Sequence, residues 1–479
     1  MTSQYNSEIN LSNTIYFEKK YNIKKKESTI NISNDYTTNT ENGNINFLNI
    51  YNSSDSSKQQ QKNAIKLLNY THSFTLFHSE PITKKININI EYNNLYSIVT
   101  NNKFTQDIIN NTLFNNNLYS SNYSKNQIIH KGKLSFTRQN GPNTFVIGSN
   151  LRNLTLTNTN IINGTVFKQQ NNTLLPYINY SFRKKNAVSF NINFNTSSIT
   201  PTIDQMQPVL NNLNPNSRTI GNLNLKPNFI NTIYISINRF NNLKGRYFFF
   251  NTSGSITQQD FASSIQYDST GRSISQTINI NGNQNISSSC NYRFSLPKYN
   301  VYIITSLEFS SSKKTNFINN LPLITIQNQF KPEIGLNYDT DSLSISINSS
   351  IKYNRPIGSA IRDFNTIYYQ FANELFFSWT IPIVGITVET SINQLNNTGR
   401  SNGYNLHRMI IRTALSKTYL KKKNLQLSLE GNDLLNQNIQ LTRNVNYNQI
   451  TDYSNTVIAR YFLFRLTYNF KPSQPKKDE

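Results

Sequence analysis

Apolar and polar residues alternate with period two along nearly the whole chain. They do so in runs of about ten residues, the signature of strands with one apolar and one polar face. Ile86, Ile88, Ile90 and Tyr92 alternate with Asn87, Asn89, Glu91 and Asn93. Val188, Phe190, Ile192 and Phe194 alternate with Ser189, Asn191, Asn193 and Asn195, and Leu343, Ile345 and Ile347 with Ser344, Ser346 and Asn348. Near the C-terminus Phe462, Phe464, Leu466, Tyr468 and Phe470 hold one phase. Helical heptads are nowhere sustained, so the pattern predicts an all-β chain.

Strands are expected near 12–22, 28–36, 66–80, 84–98, 125–138, 143–158, 172–183, 186–197, 228–241, 244–258, 271–296, 299–312, 322–338, 343–355, 366–380, 384–396, 406–419, 425–432 and 458–470, about nineteen in all. The links between them alternate in length. Tight ones fall at 23–27, 81–83, 139–142, 184–185, 242–243, 297–298, 339–342, 381–383 and 420–424. Long polar ones fall at 37–65, 99–124, 159–171, 198–227, 257–270, 313–321, 356–365, 397–405 and 433–457. Soluble sandwiches or a propeller would show Gly-rich or Trp-bearing repeats at a fixed period, and none is visible. Short turns on one side and long loops on the other are the habit of a transmembrane antiparallel β-barrel, with the turns in the periplasm.

Composition agrees with a bilayer as solvent. Only 15% of the 479 residues are charged and 12% are aromatic, a poor covering for a soluble surface. No segment of 18 or more apolar residues exists, which excludes a transmembrane helix but not a barrel. The start of the chain, Met1 to Asn6, shows neither a basic n-region nor an apolar h-region, so no secretory signal is read there. The net charge of +23 raises a nucleic-acid reading. However, the basic runs Lys24–Lys26, Lys84–Lys85, Arg183–Lys185 and Lys421–Lys423, with Lys244 and Lys298, sit at the short turns. There they form a cationic rim whose long side chains snorkel at one interface, and no nucleic acid is expected. Aromatic residues such as Phe248, Phe249, Phe250, Tyr368, Tyr369, Phe376, Phe377, Trp379, Tyr461 and Phe462 suit interfacial girdles.

Chemistry is sparse. The single Cys290 excludes a disulfide framework and cysteine metal sites, and His72, His78, His130 and His407 lack a partner at metal-ligand spacing. No phosphate loop or nucleophile motif occurs, and Asp204, Asp433 and Asp452 lie in loops without a paired base. The reading is therefore no enzyme, no cofactor and no metal.

Three stretches go beyond the generic pattern. Leu174 to Tyr180 leads into Pro201-Thr202-Ile203-Asp204-Gln205-Met206-Gln207-Pro208-Val209, followed by Asn214-Pro215, Ile220-Gly221-Asn222 and Asn224-Leu225-Lys226-Pro227. Asn432 to Asn438, Arg443, Asp452, Asn455, Arg460-Tyr461-Phe462-Leu463 and a last strand through Phe470 look like a closing hairpin. Upstream stand Tyr70-Thr71 and Glu80-Pro81-Ile82. Together these resemble the large outer-membrane β-barrel family of Bacteroidota, relatives of TonB-dependent receptors. Asn222-Leu223 departs from the family's usual Asn-Pro. The resemblance implies the C-terminal barrel portion of such a receptor, with about nineteen strands of an expected 22 and no plug domain. The barrel is expected over 1–471, with a short periplasmic tail at 472–479. An odd count could close only by a parallel seam. Either the chain is a truncated or split receptor, or a partner chain supplies the rest.

The function expected is that of a receptor or transporter barrel of the TonB-dependent type, truncated, in the outer membrane. The alternatives are a plugless passive pore or structural porin-like barrel, and a soluble β-rich adhesin. Partners implied are the lipid bilayer and a separately encoded plug or energy-coupling chain. Within the loop 198–227, the candidates for substrate or plug contact are Asp204, Gln205, Gln207, Asn211, Asn212 and Arg218. The competing view of that loop is a structural extracellular crossover.

Overall fold

The computed structural model describes residues 2–23, 26–50, 58–109, 112–184, 188–210, 216–359, 367–399, 405–420, 424–446, 449–455 and 457–470. In order, the strands are β1 (Thr2–Ile23), β2 (Lys26–Ile50), β3 (Lys58–Pro81), β4 (Ile86–Ile109), β5 (Thr112–Asn115), β6 (Ser121–Asn140), β7 (Asn143–Asn160), β8 (Val166–Lys184) and β9 (Val188–Ser197). One helical turn, α1 (Ile203–Met206), intervenes. Next come β10 (Ser217–Ile220), β11 (Phe229–Asn241), β12 (Arg246–Gln258), β13 (Asp260–Tyr267), β14 (Ser273–Ile280), β15 (Asn283–Leu296), β16 (Val301–Ile318) and β17 (Leu321–Asp339). The chain finishes with β18 (Leu343–Gly358), β19 (Tyr368–Ile381), β20 (Ile386–Thr398), β21 (His407–Tyr419), β22 (Leu425–Asn432), β23 (Gln440–Asn446), β24 (Gln449–Asn455) and β25 (Tyr461–Tyr468).

One sheet holds 23 of these strands, and β23–β24 form a separate hairpin. Four of the 23, β5, β10, β13 and β14, are short additions. The other nineteen pair in chain order, every neighbour antiparallel, from β1–β2 to β22–β25. These correspond one for one to the nineteen segments read from periodicity. Among the described residues, β1 and β25 are not paired with each other. None of the described helices is long and apolar enough to cross a membrane.

Several boundaries differ from the sequence reading, and the expected loops 257–270 and 433–457 hold β13 and the hairpin β23–β24, which are short and carry many polar residues. The expected strand 271–296 is two strands, broken at Gly282, whose φ of +91° suits a turn and few side chains. Periodicity missed the break because Ile274, Ile278 and Ile280 share the phase of Ile286 across it. The link 313–321 is mostly strand, since β16 runs to Ile318 and turns on Asn319 and Asn320, both with positive φ. Its Lys, Thr and Asn residues read as loop, yet the backbone ladder continues past the apolar alternation. The same holds for β2, β3 and β4, 25, 24 and 24 residues long, where about 9–11 suffice to span a bilayer.

Register sorts the side chains into two faces. Ile90, Leu134, Ile147 and Ile178 are all more than 40% exposed and share the outward phase on β4, β6, β7 and β8. Glu91, Lys133, Asn150 and Pro176's neighbours Leu175 and Tyr177 take the other phase, and Lys133 reaches Glu91 there at 3.3 Å. The expected aromatic girdle divides by the same rule. Phe248, Phe250, Tyr369, Phe377, Trp379 and Phe462 point outward, while Phe249, Tyr368, Phe376 and Tyr461 fall on the inward phase. The small buried core consists of Leu156, Met206 and Leu225, with Phe167 and Phe261 packed on it, and lies on the inward side.

Candidate functional site

The connection from β9 to β11 is drawn back onto the inward face of the sheet. At its base Asn228 donates its backbone N–H to the Ile199 carbonyl (3.0 Å), and its Oδ1 accepts from the Ile199 N–H (2.9 Å). Thr202 then caps α1: its hydroxyl accepts from the Gln205 N–H while the Gln205 side chain accepts from the Thr202 N–H, a capping box. That single turn aims Met206 inward, where it is 1% exposed between Leu156 and Leu225. The chain crosses itself where the Gln207 carbonyl accepts N–H groups from Val209 (2.8 Å) and Gly221 (3.0 Å). A Cβ at position 221 would lie 2.2 Å from that carbonyl oxygen, so glycine is required by closeness and not by φ.

Inward side chains of four strands hold the crossing in place. Arg152 Nη1 donates to the Ser198 hydroxyl (3.0 Å), and Thr200 donates to Gln127 Oε1 (2.9 Å). Lys125 Nζ donates to the Pro201 carbonyl. Gln169 Nε2 bridges the carbonyls of Leu223 (3.1 Å) and Leu225 (3.0 Å). From the far side the β13–β14 hairpin contributes Gln276, donating to the Gly221 carbonyl (3.2 Å), and Asn279, which exchanges two bonds with the Lys226 backbone. At the tip of that hairpin, outside the membrane span, the hydroxyl and N–H of Thr270 hold the Asp268 carboxyl below its usual range.

The sequence candidates therefore sort by environment. Asp204 is exposed and accepts from Asn101 Nδ2 at 2.9 Å. Gln205 is spent on the capping box, and Gln207 is buried at the crossing. Arg218 is half-buried on β10, its Nε enclosed without a hydrogen-bond partner among the described residues. Asn211 and Asn212 lie outside the described residues. Most of the motif at 201–227 thus serves to lock the segment against the wall.

The closing-hairpin residues form a second lock. Asp433, 3% exposed with φ of +52°, accepts N–H groups from Gln437 (2.9 Å) and Asn438 (3.0 Å), and Asn436 Oδ1 accepts from Arg460 N (3.1 Å). Replacing Asp433 by Ala removes both acceptors from a buried turn. We expect a cost of about 1–3 kcal/mol and faster amide exchange at Gln437 and Asn438, with Asn retaining more protection than Ala.

Sequence reasoning passed over the remaining feature, a belt of charge on the inward wall. A groove of about 550 Å³ is lined by Ser253, Ser287, Ser310, Glu308, Lys331 and Lys352. Glu308 stands directly across from Lys331, which pairs with Glu333 at 2.8 Å. A second groove of about 270 Å³ gathers Glu389, Arg412, Glu430 and Arg465, the last two paired at 2.9 Å. Their signal was present as charges lying in the polar phase of neighbouring strands. Among the described residues no cluster of His, Cys, Asp and Glu could hold a metal ion.

Comparison with known proteins bears on the whole architecture. Residues 21–468 match the outer membrane protein β-barrel family. No curated protein matches the chain. Among solved structures, the chain is similar to the ferric citrate transporter FecA in its unliganded form (11% identity, TM-score 0.49, 91% of this chain). It is likewise similar to the copper transporter OprC (9%, 0.49, 92% of this chain and 70% of that one) and to the ferric preacinetobactin receptor BauA of Acinetobacter baumannii (9%, 0.38, 98% and 79%). The chain spans 60% of the length of FecA.

Proposed function

The chain belongs to the outer membrane protein β-barrel family, and we propose that it forms the wall of a receptor-type outer-membrane transport barrel, past whose inward face hydrophilic solutes move. The observation that supports this is the belt of Ser, Gln and paired charges on β16 to β19, set back to back with an apolar outward face. Lipid cannot use such a belt, whereas a wet passage can. The motif resemblance to TonB-dependent receptors at 201–227 supports the receptor type, and the segment 198–228 is the element placed to narrow the passage.

That β1 and β25 are not paired with each other among the described residues supports a further part of the reading. Free N–H and C=O groups are not tolerated in hydrocarbon, and on this reading further strands cover the two edges. Nineteen antiparallel strands leave both edges running the same way, so an odd number of additional strands, such as three, seals the barrel with antiparallel seams alone. A plug or energy-coupling partner would occupy the interior of such a barrel. A passive pore is the second reading, favoured if the passage conducts without a partner.

Planar-bilayer conductance tests the passage. Lys331→Glu with Lys352→Glu reverses two charges of the belt and is expected to move ion selectivity toward cations with folding unchanged. Unchanged selectivity in a conducting barrel would remove the belt from the path, and a silent bilayer with inserted protein would favour a structural barrel.

A further inference from the structure

At the short-turn end of the sheet, the outward face between β11 and β12 carries a cationic pocket. It is a groove of about 370 Å³ lined by Arg239, Asn241, Lys244, Arg246, Phe248 and Tyr292. Register builds it: Arg239 stands opposite Phe248, which stands opposite Tyr292, and Asn241 opposite Arg246. Asn241 Oδ1 accepts the Lys244 N–H at 3.1 Å and folds the turn back toward the strands. Arg239, Lys244 and Arg246 are all exposed, and none forms an ion pair among the described residues. Lys184 extends the row, since it pairs with Val188 and Val188 with Arg239.

Three unneutralised cations around one groove repel each other, and an outward-facing arginine is tolerated only near the interface. Both costs vanish if an anion sits among them. On the outward face at this level the anions at hand are phospholipid phosphates, which guanidinium forks bind through two hydrogen bonds each. One row deeper than Asn241 and Arg246, and level with Arg239, Phe248 and Tyr292 present apolar rings at the depth where a glycerol backbone and the first acyl carbons lie. We propose that this pocket is a binding site for the phosphate of an anionic phospholipid headgroup in the periplasmic leaflet. This site is independent of any transport role.

The test uses the full chain in a mild detergent, delipidated and titrated with phosphatidylglycerol, phosphatidylcholine or inorganic phosphate, with bound adducts counted by native mass spectrometry. Wild type should retain phosphatidylglycerol about tenfold better than phosphatidylcholine. The triple variant Arg239→Gln, Lys244→Gln, Arg246→Gln should lose that preference. The variant Lys84→Gln, Lys85→Gln, Lys298→Gln removes equal charge elsewhere on the rim and should keep it. Arg239→Lys with Arg246→Lys retains the charge and guards against misfolding as the cause of loss, and heat-shifted electrophoretic mobility reports folding for all. Equal loss in both triple variants would reduce the effect to general rim charge and overturn the site. Binding of inorganic phosphate without a lipid preference would overturn the lipid as its ligand.

Discussion

Ile347→Arg is expected to cost the folded barrel about 2–4 kcal/mol, while Ser346→Arg, one residue away, is expected to be nearly neutral. Ile347 lies on the outward phase of β18, 44% exposed, a few residues in from the turn at 340–342. With a rise of about 3.3 Å per residue and a tilted strand, that places it near the middle of the hydrocarbon. A guanidinium there has no water and no partner. Ser346 sits across from Asn337 and Phe376 on the inward phase, where an added arginine meets a wet wall. Folding into lipid vesicles under a urea series measures both. Equal penalties would mean that the two faces have been assigned wrongly, and the proposed passage would fall with them.

Gly221→Ala should release the segment 198–228 from the wall. The new methyl would need the space of the Gln207 carbonyl oxygen and of its backbone nitrogen, 2.2 and 2.5 Å away, and backbone atoms cannot step aside as a flexible side chain can. Overpacking of this kind costs about 1–3 kcal/mol. Because the segment is fastened by side chains and not by the ladder, that cost falls on its docking and not on the sheet. Protease cleavage within 198–228 should rise about tenfold or more, and conductance should increase as the passage widens. Gly132→Ala is the matched control, since a Cβ there meets nothing within 4 Å. If cleavage is the same in both variants, the crossing at Gln207 is not what holds the segment.

Much of the sheet was legible because strands in a bilayer carry their address in phase. Val188, Phe190, Ile192 and Phe194 share one phase, as do Ile86 to Tyr92 and Leu343 to Ile347, and each such run marks a strand with one face toward lipid. What phase could not show was where pairing stops. At Gly282 the alternation runs straight through a turn, and at Lys313 to Ile318 pairing outlasts alternation, since a polar hairpin in water needs no apolar face. The candidate site was legible only as a segment. Length and the run of Pro and Asn marked 198–227 as special. Whether Gln205 and Gln207 face a solute or fasten the chain depends on partners such as Thr202 and Gly221, and on a lysine and a glutamine from strands up to 76 residues distant in sequence. The charge belt was hidden for a similar reason. Glu308, Lys331 and Lys352 become neighbours only once register is fixed.

The overhang of the strands has a consequence for what the cell displays. With about ten residues of each strand inside lipid, the rest of β4 and β6 stands some tens of ångströms above the surface, fastened to each other from Lys103–Ser121 downward. A particle arriving from outside therefore meets a stiff palisade with strands about 4.8 Å apart, instead of a brush of slack loops. Outward-phase side chains of that palisade, such as Phe104, face water and can change without disturbing the ladder beneath, while inward ones such as Thr105, Ser121 and Tyr123 are buried. The outermost part of the molecule can vary its chemistry while its spacing stays constant, which is what a surface under pressure from adsorbing agents requires.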